Sequence, residues 1–99
     1  MLDHALFQSV AEQLMNATEV TVEGRTFRVV RTGSRRFRTV RFMTGVREYQ
    51  AIEQNPEKPS RWGQLAREGR RVVQFRDLQT HKYVAVAVDG EVREYGRGV

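Results

Sequence analysis

Tyr83-Val84-Ala85-Val86-Ala87-Val88-Asp89-Gly90-Glu91-Val92-Arg93-Glu94-Tyr95 is the stretch that decides the fold. Successive side chains of a strand point to opposite faces, so Val84, Val86 and Val88 share one face and Ala85 and Ala87 the other. A face of alanines admits the close approach of a helix. Asp89-Gly90 offers two residues that accept positive φ, the signal of a type I′ hairpin, and 91–95 then returns antiparallel to 83–88. Upstream, Val72, Val73 and Phe75 lie in a strand that ends at Asp77, and Gln79-Thr80-His81-Lys82 turns the chain into the next. The C-terminal third is therefore read as a three-stranded antiparallel meander, with 96–99 a frayed tail.

Before this meander lies Glu53-Gln54-Asn55-Pro56-Glu57-Lys58-Pro59-Ser60, which holds both prolines of the chain. Asn55 and Lys58 each precede a proline and are pushed out of the α region, so 53–60 is a loop. Ser60 then caps a short helix over 61–68, with Trp62, Leu65 and Ala66 on one side and Gly69 as its stop. Trp62 is expected to be largely buried against Leu65 and Val73. Gly63 weakens this helix by up to about 1 kcal/mol relative to Ala. Most of the run is structural on this reading: Asn55 forms an Asx-turn and Ser60 a cap. A functional reading makes Gln54, Asn55, Ser60 and Arg61 a polar recognition loop, since loops on rigid scaffolds carry function. Across 50–95 the chain resembles small bacterial proteins of unassigned function that share an EQNP…K…SRW…LAR.G..V.QF pattern followed by YVAV.VDG.V..Y. The resemblance implies no catalytic residues.

At the other end, Leu6, Phe7, Val10, Ala11, Leu14 and Met15 recur at helical spacing and predict a helix over 4–16 with Asp3 as its N-cap. Val20 and Val22 alternate in a strand over 19–23. The turn Glu23-Gly24-Arg25 leads to a strand over 26–31, Thr32-Gly33-Ser34 turns again, and a strand follows over 35–43. Val46, Tyr49 and Ile52 also fit a helical turn, but the hairpin neighbours favour a strand over 46–52. These elements make an α+β domain spanning 1–99: an N-terminal helix, an antiparallel β-meander, a short helix and a second β-meander. The reading leaves open whether the strands form one curved sheet, two packed sheets or a partly open barrel.

Charge is distributed unevenly. The chain of 99 residues carries a formal net charge of +5, yet 1–23 hold four acids and no base, and 24–47 hold eight arginines and no acid. Arg25, Arg28, Arg31, Arg35, Arg36, Arg38, Arg41 and Arg47 are interleaved with Phe27, Phe37 and Phe42. On the strand reading, Arg36 and Arg38 point one way and Arg35 and Arg41 the other. A guanidinium is a planar fork suited to phosphate or carboxylate. Arg28, Arg31, Arg35, Arg36, Arg38 and Arg41 are thus candidate nucleic-acid or anion contacts. The competing explanation pairs these arginines with Glu12, Glu19 and Glu23, within the chain or across a homodimer, or with another acidic protein surface. Phe27 and Phe37 are expected in the core rather than as stacking platforms.

The inventory for catalysis is thin. There is no cysteine, which excludes thiol nucleophiles, disulfides and zinc–thiolate sites. His4 and His81 are 77 positions apart and suggest no metal centre. Ser9, Ser34 and Ser60 lack a Gly-x-Ser-x-Gly context, and no GxxxxGK[ST] loop is present. No enzyme activity, cofactor or metal is expected. The longest apolar run, Tyr83 to Val88, is too short to cross a bilayer. The first residues, with Asp3 and His4, lack the basic start and apolar core of a secretion signal. A cytoplasmic binding module, engaging nucleic acid or another polyanion or else an acidic protein surface, is the expectation.

Overall fold

The computed structural model describes residues 2–95; the tail expected over 96–99 lies outside the described residues. Helix α1 (His4–Asn16) starts where Asp3 accepts a hydrogen bond from the Leu6 N–H, and buries Phe7, Val10, Ala11 and Leu14. A hairpin of β1 (Glu19–Val22) and β2 (Arg25–Arg28) follows. The chain then builds one antiparallel meander from β3 (Val30–Thr32), β4 (Phe37–Thr44), β5 (Arg47–Glu53), β6 (Val72–Asp77), β7 (Lys82–Val88) and β8 (Glu91–Glu94). Helix α2 (Arg61–Arg67) interrupts it between β5 and β6. The α+β class and element order are those the sequence predicts. The two meanders are one sheet, because β5 pairs with β6 from Tyr49↔Asp77 to Glu53↔Val73. The sheet does not close into a barrel: β3 and β8 are its edges.

Two expected strands are redrawn. The segment read as one strand over 26–31 divides at Val29, whose N–H donates to the Thr18 carbonyl. β2 pairs with β1, whereas β3 pairs with β4 in the other sheet. The strand expected from residue 35 begins at Phe37, so Arg35 and Arg36 sit in the turn, with Arg36 at φ 57.

One face of the large sheet carries the main core. Val40 and Phe42 on β4, Tyr49 and Ala51 on β5, Val73 and Phe75 on β6, and Ala85 and Ala87 on β7 meet α1 and the β1–β2 hairpin. The alanine face of β7 does lie under α1. The apolar stripe of α1 is thus covered by the chain's own sheet. Val84 departs from the expected alternation: an irregularity in β6–β7 pairing between Phe75 and Arg76 turns it toward this core, away from Val86 and Val88.

The opposite face is half covered. Val72, Val86 and Val88 pack against Trp62, Leu65, Ala66 and Tyr95. Trp62 is therefore half-buried rather than deeply buried, and it packs on the cluster of Val72, Val86 and Val88; Val73 points to the α1 side. The rest of this face, over β3 to β7, has no described helix or strand upon it. Phe37 lies there, half-buried and outside the core clusters, which corrects its expected core place; Phe27 does pack against the core.

The β6–β7 turn is fixed by Asp77. One of its carboxylate oxygens accepts from the backbone N–H groups of Gln79 and Thr80, and the other from Arg47 Nε at 2.8 Å. Burial alone would raise this carboxyl's pKa. The Arg47 hydrogen bond and charge and the two backbone donors outweigh it, so the group titrates below the usual carboxylate range. Its ionised form thus adds stability that is present above the unfolded-state pKa of about 3.9 and is lost as pH falls through the lower folded value. In urea titrations, the stability gap between the wild type and Asp77→Asn is expected to shrink as pH drops from 7 toward 2. A gap constant over that range would contradict this.

Candidate functional site

The register of the meander sets four side chains in a line. Arg41 on β4 lies opposite Gln50 on β5, Gln50 opposite Arg76 on β6, and Arg76 opposite Tyr83 on β7. All four lie on the uncovered face, since their neighbours in each strand fill the α1 core. Strands are about 4.8 Å apart, so the row is about 14 Å long. Arg41 and Tyr83 are exposed; Gln50 and Arg76 are half-buried among their neighbours. Gln50 Nε2 donates to Thr39 Oγ1, and Arg76 Nε donates to the His81 carbonyl. The Arg76 guanidinium stands over the Tyr83 ring, 5.9 Å from its centroid. The acids that share this face are Glu48, at the start of β5, and Glu91, which is ion-paired with Arg93.

The arginines that the sequence grouped together are spread around this region rather than gathered on one face. Arg41 is in the row. Arg31 and Arg38, a cross-strand pair, point to the α1 side. There Arg38 Nη1 donates to the Leu14 carbonyl near the end of α1 at 3.2 Å, a favourable place for a cation. Arg31 Nη1 donates to the Arg36 carbonyl, and Arg35 is ion-paired with Glu57 at 2.9 Å. Arg28 is exposed at the end of β2, opposite Glu19 in register. Arg25 stands over the Phe27 ring, and Arg47 is held by Asp77. Among the described residues no ion pair joins these arginines to Glu12, Glu19 or Glu23; Glu23 instead accepts from the Gly45 N–H.

Beside the row, the 53–60 loop walls a cavity of about 440 Å³ whose lining includes Phe37, Ile52, Gln54, Lys58, Gln74 and Tyr83. The loop residues picked out from the sequence are tied into the fold. Buried Gln54 donates from Nε2 to the Asn55 carbonyl and accepts from Gln74 Nε2. Asn55 Oδ1 accepts from the Glu57 N–H, the expected Asx-turn. Ser60 Oγ accepts from the Gly63 N–H as the expected cap. Arg61 stacks on Trp62, 4.7 Å from the ring centroid. Gln54, Asn55 and Ser60 line the cavity, while Arg61 lies outside it.

A smaller cavity, about 310 Å³, lies between α1 and the β7–β8 turn, with Glu12, Arg71 and Asp89 at its edge. Asp89 is already engaged by Arg70 and by the Arg71 N–H. No group of three or more His, Asp or Glu side chains among the described residues is placed to hold a metal ion. No described helix is long and apolar enough to cross a membrane.

Arg76, Gln50 and Tyr83 carry no signal in the distribution of charge along the sequence. Arg76 is followed by Asp77, which cancels it in any local count. The signal that exposes it is alternation: Val73, Phe75 and Asp77 share one face of β6, which puts Arg76 on the other.

No family model, curated protein or solved structure matches this chain.

Proposed function

We propose that this chain is a non-enzymatic, cytoplasmic binding module that takes single-stranded nucleic acid across the uncovered face of its sheet. The observation that carries the reading is the Arg41–Gln50–Arg76–Tyr83 row: two guanidinium groups two strands apart, an amide between them and an exposed ring at the end. Single strands are bound by cations that follow the phosphates and by aromatic faces that stack bases. The row supplies both on a surface that no described helix or strand covers. Arg36, in the adjoining β3–β4 turn, extends the positive field along which the strand approaches. The acid-free run 24–47 thus acts mainly in steering, and Arg41 joins Arg76 in contact. The resemblance of 50–95 to small bacterial proteins supports a bacterial origin.

Titration of labelled ten-nucleotide DNA and RNA strands against salt tests this. Affinity is expected to fall linearly on a log–log plot, with a slope of about −0.7 for each phosphate contacted. Arg41→Ala and Arg76→Ala are each expected to flatten the slope by about 0.7 and to weaken all sequences alike. Arg70→Ala, which removes a partner of Asp89, should leave the slope unchanged. Absence of binding at low salt would refute the proposal. A doubled mass in solution would then favour the arginines meeting the acidic helix of a second copy.

A further inference from the structure

We infer that the cavity beside the row is a pocket for one nucleobase of the bound strand; this rests on the single-strand reading above. The cavity and the row are continuous, because Tyr83 belongs to both. Its volume falls in the ~300–1,000 Å³ range of small-ligand sites. Phe37 and Ile52 supply apolar wall, and Phe37 is half-buried with its ring outside both core clusters. A flat heterocycle laid against that ring gains stacking that a sugar or phosphate cannot.

The polar part of the lining fits the edge of a base. A glutamine amide has two N–H donors and an oxygen with two lone pairs. Gln54 uses one donor on the Asn55 carbonyl and one lone pair on Gln74. Gln74 uses one donor on Gln54 and one lone pair on the Tyr95 hydroxyl. Among the described residues each amide has a second donor and a second lone pair not used in these bonds, and both residues line the cavity. Glu53 also borders the cavity, its carboxylate accepting from the Arg38 N–H. The apolar wall of Phe37 and Ile52 suits a neutral base better than a phosphate. The phosphate belongs at the rim, where the exposed Lys58 has no ion-pair partner among the described residues.

The pocket is also preorganised. Arg67 Nη1 donates to the carbonyls of Pro56 and Lys58, and the Asx-turn at Asn55 fixes the start of the loop. A loop pinned in this way places its groups without ordering them at the moment of binding.

The test uses the intact chain with ten-nucleotide strands of dT, dA and dC, and an abasic strand of equal length and charge. At least one of the three base-bearing strands is expected to bind about tenfold or more tightly than the abasic one. Phe37→Ala is expected to reduce that strand's affinity by about 5- to 150-fold, the range of base stacking on an aromatic ring, with the salt slope unchanged. Tyr83→Ala, at an exposed ring, and Gln54→Leu test the other walls, and circular dichroism checks that each variant is folded. Salt-dependent binding that is equal for abasic and base-bearing strands would overturn the pocket, and base stacking on Tyr83 with it, and leave only the phosphate contacts of the row standing. Failure of the wild type to bind any strand would overturn both. A folded Phe37→Ala that keeps full affinity and preference would overturn the pocket alone.

Discussion

Phe7→Ala is expected to remove about 3–5 kcal/mol of folding stability. Phe7 is 1% exposed and is the hub of the aromatic core. Its ring centroid lies 5.6 Å from that of Phe42, 5.1 Å from Tyr49 and 4.7 Å from Phe75, three residues on three consecutive strands. Edge-on and tilted pairs of this kind add about 0.5–1.5 kcal/mol beyond area burial. Truncation leaves a void that α1 cannot fill, because Val10 and Leu14 are already fully packed one and two turns along. Domains have only about 5–15 kcal/mol in total, so a large share of the fold's stability rests on this one ring. Urea unfolding monitored by circular dichroism measures the loss. Val46→Ala is the matched control: Val46 is 94% exposed and its truncation should change stability by no more than about 0.5 kcal/mol. Equal midpoints for the two variants would show that α1 is not docked as described.

Gly63→Ala is expected to destabilise the protein by about 1–3 kcal/mol, opposite in sign to helix propensity. Glycine inside a helix costs up to about 1 kcal/mol relative to alanine, so propensity alone predicts a gain. The loop reverses it. A Cβ at Gly63 would stand 2.1 Å from the Lys58 carbonyl oxygen and 2.9 Å from its carbon. Both are backbone atoms, and the same carbonyl accepts from Arg67, so relief of the clash moves the 53–60 loop and breaks the contact that pins it. The variant should therefore lower the urea midpoint and also blunt the preference for base-bearing over abasic strands. A raised midpoint would mean that the loop yields freely.

The pattern of success along the chain follows the range of the forces involved. The Asp89-Gly90 hairpin forms as expected, with φ of 51 and 87 at its two residues, because a two-residue turn is a local steric property. The caps Asp3 and Ser60 are local for the same reason. The break at Val29 is not legible in the sequence because 26–31 alternates well enough for one strand; only the Thr18 carbonyl, eleven residues back, takes its N–H and lets the chain change sheets. Gly63 looked like a weak helix residue because the atom that requires it belongs to a loop outside the helix. Of the loop residues picked out, the caps and turn were legible, whereas the joining of Gln54 to Gln74 needs β5 and β6 side by side.

The sequence by itself determined the order and type of the elements, the hairpin turns, the apolar stripe of α1 and the concentration of positive charge between 24 and 47. Each follows from side-chain chemistry and from spacings of one to a few residues. Only the tertiary structure decided which arginines share a face. Arg38 and Arg41 are three apart on one strand and therefore point to opposite sides, one to the Leu14 carbonyl of α1 and the other to open surface. Arg41 and Arg76 are 35 positions apart and lie in one row. Strand pairing depends on contacts across the sheet, and which face stays open depends on where the helices dock; neither is written in any local stretch of the chain.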